Sequence, residues 1–204
     1  MIPELELQRL ERARAGTLAL IGGLSQADLD RRPAADGWSV GEILDHLLRA
    51  EASNRDDIRT LIELARSGRE PYLHRKLTTT GLAPAFVPRS LLPYLSLPTS
   101  MITLFLPIAV RELMVRSRLL PASASTELWP LRGRPAGELR SQLAASVAET
   151  RALLAANAIL DYRRMTVQHP ALGANDVHDI LRLTAAHEER HQDQIRELLE
   201  RRKP

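Results

Sequence analysis

The chain has 204 residues and no cysteine. That length can bury a full core as one domain, expected to span residues 1–204, and the lack of thiols excludes disulfides, thiolate metal sites, iron–sulfur clusters and a cysteine nucleophile. The net charge is +3 and aromatics make up 3% of residues; with signs interleaved along the predicted helices and too few rings for base stacking, nucleic acid is not an expected partner.

The N-terminal stretch is charged from Glu4 onward and lacks an apolar signal-peptide core, so a cytoplasmic location is expected. Apolar positions at Leu10, Ala13, Thr17, Leu20 and Ile21 predict a first helix over roughly 3–22, stopped by Gly22 and Gly23. Ser25 and Asp28 suit a short capped turn before Pro33. Ser39 followed by Glu42 forms a capping box that opens a second long helix, carried by Ile43, Leu44, Leu47, Ile58, Leu61 and Ile62 to about Ser67.

The stretch from Tyr72 to Leu128 breaks the pattern. It is rich in proline, and Ser90 to Val110 carries no charge. Pro93, Pro98 and Pro107 argue against a continuous membrane-spanning helix there. A long crossover packed on the rest of the molecule is expected, with a short helix around Met101–Arg118. The alternatives are a lid or entrance wall, a dimer contact or a membrane-surface contact, though membrane contact is not the expectation. A third long helix is predicted from Pro135 to about Asn157 and a fourth from about Asn175 or Asp176 to Arg202. Four amphipathic helices and no convincing period-2 strand give an all-α four-helix bundle.

The most informative pattern is His187-Glu188-Glu189-Arg190-His191. Histidines four apart lie on one helix face, with Cβ atoms about 5–6 Å apart, close enough for both rings to reach one cation at about 2.0–2.1 Å. They share a stripe with Ile180, Thr184, Ile195 and Leu198, so they face the bundle interior. The alternative is a pair of buried, hydrogen-bonded histidines, which need partners for four ring nitrogens. The letters match the H-E-x-x-H protease signature, but zincins take their third ligand downstream, and the 13 residues after His191 contain no histidine.

A third ligand must therefore come from upstream, and His46 fits. It lies about 10 Å into the second long helix, and His191 lies about 16 Å before the end of the last one. Antiparallel packing at about 8–10 Å would bring all three to one level. His178 falls on the opposite helix face, His74 lies in the irregular connection, and His169, before Pro170, is expected to order a loop. Glu188 is read as a weak candidate base and more simply a solvated residue. Asp45 is read as a surface group or an outer-shell partner of His46. Arg190 and Gln194 either line the site or pair with helix neighbours. Trp38 is expected to staple the helix entry.

The run Gly37-Trp38-Ser39-Val40-Gly41-Glu42-Ile43-Leu44-Asp45-His46-Leu47 resembles the second-helix motif of the DinB/YfiT-like superfamily. His169-Pro170-Ala171-Leu172-Gly173, with Leu181, Ala186-His187, Arg190-His191 and Gln194-Ile195, resembles its last helix. The likeness covers about three quarters of the chain, with 72–128 as the poorly matched insertion. It implies a down-up-up-down bundle with a long connection between helices two and three, often as a homodimer. It also implies a divalent ion, zinc or nickel, on three histidines, which by position are His46, His187 and His191. Relatives of this kind include thiol-dependent transferases and isomerases.

The leading expectation is a metal-dependent enzyme acting on a small molecule, as a thiol-dependent transferase or a hydrolase, with a low-molecular-weight thiol or water as nucleophile. No catalytic residue is assigned. The competing reading is a non-catalytic metal- or ligand-binding or dimerisation module.

Overall fold

The structure is a computed structural model; it describes residues 2–33, 37–75, 107–117, 128–169 and 172–201. In chain order the helices are α1 (Glu4–Ile21), α2 (Gln26–Asp30), α3 (Val40–Arg66), α4 (Ile108–Arg116), α5 (Ala136–Ala155) and α6 (Val177–Glu200). Three short strands, β1 (Tyr72–His74), β2 (Thr166–His169) and β3 (Gly173–Asp176), complete them. Among the described residues no helix is long and apolar enough to cross a membrane.

Local chemistry sets the helix ends. At α3 the Ser39 hydroxyl accepts the Glu42 N–H at 3.2 Å while the Glu42 carboxylate accepts the Ser39 N–H at 2.9 Å, the reciprocal cap expected from sequence. The other end closes with Gly68 at φ +70. There Gly68 N–H bonds Ala65 O at 3.1 Å and Arg69 N–H bonds Leu64 O at 3.0 Å, a left-handed cap that favours glycine. Ser25 and Asp28 cap α2 in the same reciprocal way as α3, and Asp176 accepts the Asp179 N–H at 2.8 Å to start α6.

The four long helices pack as a ring in which α1 and α3 each touch both α5 and α6. Side-chain pairs fix the directions. Glu6 meets Arg182 and Arg9 meets Glu189, so α1 and α6 run parallel. Asp45 meets Arg134 and Arg55 meets Glu149, so α3 runs parallel to α5. His46 lies against His187 whereas the later Asn54 bonds the earlier Thr184, which makes α3 and α6 antiparallel.

The strand-free expectation is corrected. β1 and β2 pair in parallel, and β2 and β3 pair antiparallel. Strands of three or four residues are too short to display an alternating pattern. His169, expected in a loop, ends β2, and Gly173 at φ +71 opens β3. Val167 points from the sheet into the core beside Tyr162 and Met165. The expected helix at Met101–Arg118 is described as α4, and residues 76–106 and 118–127 of the proline-rich connection lie outside the described residues. α4 packs on α6, and its Arg111 donates to Ala174 O and Asn175 Oδ1, each at 2.6 Å.

The apolar core is two clusters, one around Leu7, Leu10, Ile58, Leu154 and Tyr162, the other around Ile21, Ile43, Leu44, Leu139 and Ile195. A polar layer includes Arg14, whose five N–H groups all find acceptors. Nε and Nη2 donate to the two Glu188 oxygens at 2.7 and 3.0 Å. Nη2 also reaches Glu51 at 2.8 Å. Nη1 reaches Leu143 O at 2.9 Å and the Ser146 hydroxyl. One guanidinium thus bonds to α3, α5 and α6 from α1. Glu188, read from sequence as solvated, is 1% exposed: Arg14 and the Thr17 hydroxyl at 2.7 Å satisfy it inside the bundle.

Two outcomes follow from this packing. Arg14→Met leaves the buried Glu188 carboxylate without a cation and takes one partner from Glu51, and is expected to cost about 3–5 kcal/mol in urea unfolding; a loss below about 1 kcal/mol would show that the layer does not tie the helices. Burial, then the nearby Arg75 charge, pushes His169 down to about 4 from 6.5. The unfolded chain takes up that proton first, so stability falls as pH drops from about 6.5 toward 4. His169→Gln should flatten this part of the pH–stability curve, and an unchanged slope contradicts it.

Candidate metal centre

His46 enters from the second turn of α3, held in place by the Ser39 cap, and His187 and His191 enter from the facing side of antiparallel α6. The three rings offer nitrogens that all lie within 4.8 Å of one another. His187 Nε2 is 3.3 Å from His46 Nε2 and 3.1 Å from His191 Nε2. His46 and His191 are buried, at 5% and 7% exposure. Their ring planes meet near right angles: 74° between His46 and His187 and 90° between His187 and His191.

The outer ring nitrogens determine what the inner ones can do. His46 Nδ1 lies 2.9 Å from Leu128 O, an acceptor, so Nδ1 carries the hydrogen and Nε2 a lone pair. His191 Nδ1 lies 2.9 Å from Gln194 Oε1, which gives the same tautomer. Two lone pairs then point at His187 Nε2, which has at most one hydrogen to give. Neutral imidazoles alone therefore leave at least one of these close N···N contacts without a proton. A cation answers all three donors, and two bonds of about 2.0–2.1 Å at a tetrahedral angle separate the nitrogens by about 3.3 Å. The donor set fits a divalent ion.

Protonation is suppressed at this cluster. Burial lowers the His46 pKa, with the Arg190 charge acting the same way and Leu128 O and Asp45 opposing. Burial holds His187 well below the ordinary range, helped by the charges of His191, His46 and Arg190. Neutral imidazole is the form that ligates.

The neighbouring residues behave unevenly. Gln194 pairs with its helix neighbour His191, and Arg190 donates to Val115 O at 3.3 Å, reaching the segment of α4. Asp45 is not a surface group: at 1% exposure it accepts Leu131 N–H and Arg49 Nε, each at 2.7 Å, and Arg134 at 2.6 Å. Burial alone would raise its pKa, but the Leu131 N–H, Arg134 and Arg49 together hold it below the usual value. Trp38, just ahead of the Ser39 cap, packs on the cluster that holds Ile43 and Leu44 and also leans on the His46 ring at 4.9 Å between centroids, with Trp129 edge-on behind it at 5.8 Å. The other histidines stay apart: His178 sits 3.4 Å from Glu6, and His74 and His169 lie in the sheet. Sequence reasoning missed Leu128 and Trp129. A backbone carbonyl leaves no mark in a pattern of side chains.

Among solved structures, YfiT from Bacillus subtilis, described as a probable metal-dependent hydrolase with an unusual four-helix bundle topology, aligns with a TM-score of 0.53 at 16% identity. The alignment covers 98% of this chain and 86% of that one. At that identity the likeness establishes the shared fold. No curated protein matches the chain. The family model of the DinB superfamily matches residues 9–195, nearly the whole bundle including all three clustered histidines, and the chain belongs to that superfamily.

Proposed function

We propose that His46, His187 and His191 bind a divalent ion, zinc or nickel, and that the protein is a metal-dependent enzyme acting on a small molecule. The observation that carries this reading is the convergence of three Nε2 atoms at 3.1 and 3.3 Å, with two of them already tautomer-fixed as ligands. A divalent ion held there supplies Lewis acidity, which acidifies a water or thiol and polarises a carbonyl.

The chain's own residues prepare that chemistry. Leu128 O and Gln194 orient two rings from behind, and burial with the Arg190 charge keeps His46 and His187 unprotonated. Glu188, the nearest sequence candidate for a general base, is committed to Arg14 and Thr17. That carboxylate is therefore not free to serve as general base, and in this reading the nucleophile is water or a cosubstrate thiol. Hydrolysis is the first reading, supported by what YfiT is described as. Transfer of a low-molecular-weight thiol to a small electrophile is the second, since an ion that acidifies water equally acidifies a thiol.

Purified wild type is expected to carry about one equivalent of divalent metal by elemental analysis, and His187→Ala almost none; equal content in both rejects these ligands. Because burial lowers the pKa values of His46 and His187 from the ordinary histidine value, protons compete with metal at these two ligands only in acid. The metal Kd should stay flat from about pH 8 to 6.5 and weaken below that by about tenfold per pH unit for each ligand protonated. Weakening that begins near pH 7.5 contradicts the burial argument. With metal bound, a panel of esters and amides tested beside thiol-plus-electrophile mixtures separates the two chemistries, and turnover in neither, at any metal loading, leaves a binding module.

A further inference from the structure

We propose that Asp45 is a positioning residue for this centre: it holds the strap of residues 128–134, and the strap in turn fixes the His46 ring. The inference rests on the metal-ligand reading above.

Asp45 and His46 are consecutive on α3, so their side chains diverge by about 100° and the carboxylate does not address the imidazole directly. It addresses the strap instead. Oδ2 takes the Leu131 N–H at 2.7 Å and Oδ1 takes the Arg134 guanidinium at 2.6 Å. One turn earlier on α3, Glu42 takes Arg132 at 3.2 Å. With those tethers in place, Leu128 O meets His46 Nδ1 at 2.9 Å and Trp129 sets its edge against Trp38, which leans on the same ring.

Apolar burial does little to hold the strap down. Trp129 is 56% and Leu131 55% exposed, and of the seven residues only Pro130 is buried. The carboxylates therefore do the anchoring. Metal-binding histidines commonly donate their outer N–H to a carboxylate or a carbonyl, which orients the ring and raises its basicity. Here the two acceptors act in series: the carboxylate fixes a peptide segment, and that segment's carbonyl fixes the ring.

Asp45→Asn keeps the shape but sets an amide N–H₂ against a donor. It should weaken zinc affinity about 10- to 100-fold, read by competition with a chromogenic chelator. The metal-free variant should also show altered tryptophan emission, since Trp38 and Trp129 are the chain's only two tryptophans. Leu10→Ala, a core truncation away from the strap, should lower stability and keep the wild-type Kd. Should Asp45→Asn not fold, Arg134→Gln removes one tether and should weaken zinc binding in the same direction by less. A folded Asp45→Asn protein with the wild-type Kd overturns the inference, as does equal weakening in Leu10→Ala. Wild type that takes up no zinc overturns the metal reading itself, and this inference with it.

Discussion

The guanidinium of Arg14 is the constraint around which the bundle is arranged. It sits on α1 and bonds to α3, α5 and α6 at one level, between the two apolar clusters. Apolar stripes alone let helices slide and rotate against one another at small cost, because hydrophobic burial has no direction. A buried cation with five directional donors does not. It fixes the rotation of α6 through both oxygens of Glu188, and rotation is what decides where the neighbouring His187 points. Placed one position further along the helix, that imidazole would turn by about 100° and leave the cluster.

The charge in this layer is balanced locally. Glu51 is shared between Arg14 and Arg55, Glu188 is held by Arg14 and Thr17, and Ser146 and Thr150 add hydroxyl donors to Glu51. Such networks are costly when half satisfied and specific when complete. The same layer explains why Glu188, beside His187, takes no part in the site: it is occupied in holding the helices together.

Much of the scaffold was legible in the sequence because its signals are local. Ser39 with Glu42, Ser25 with Asp28, and Asp176 before α6 announce helix starts, and the i, i+4 histidines announce a shared face. His46 could be matched to them because helix rise converts residue number into height along the bundle. The sheet was not legible, since β1 pairs in parallel with a strand almost a hundred residues away and neither is long enough to carry a period. The buried roles of Glu188 and Asp45 were also hidden, because a charged letter reads as solvated unless its partners are known. Apart from Arg49, one turn along α3 from Asp45, these partners lie on other elements: Arg14 and Thr17 on α1, and Leu131 and Arg134 ahead of α5. One signal was available for the first of these. Arg14, Glu51 and Glu188 each interrupt an otherwise apolar stripe, the first opposite in sign to the other two.

Running α3 parallel to its neighbour α5 has a consequence for the connection between them. The link between them must travel back along the length of α3, about 40 Å for its 27 residues, and it lands at Leu128, on the ring of His46. On the way β1 pairs with β2 and α4 packs on α6, so the link is tied to the bundle before its end bears on the candidate centre.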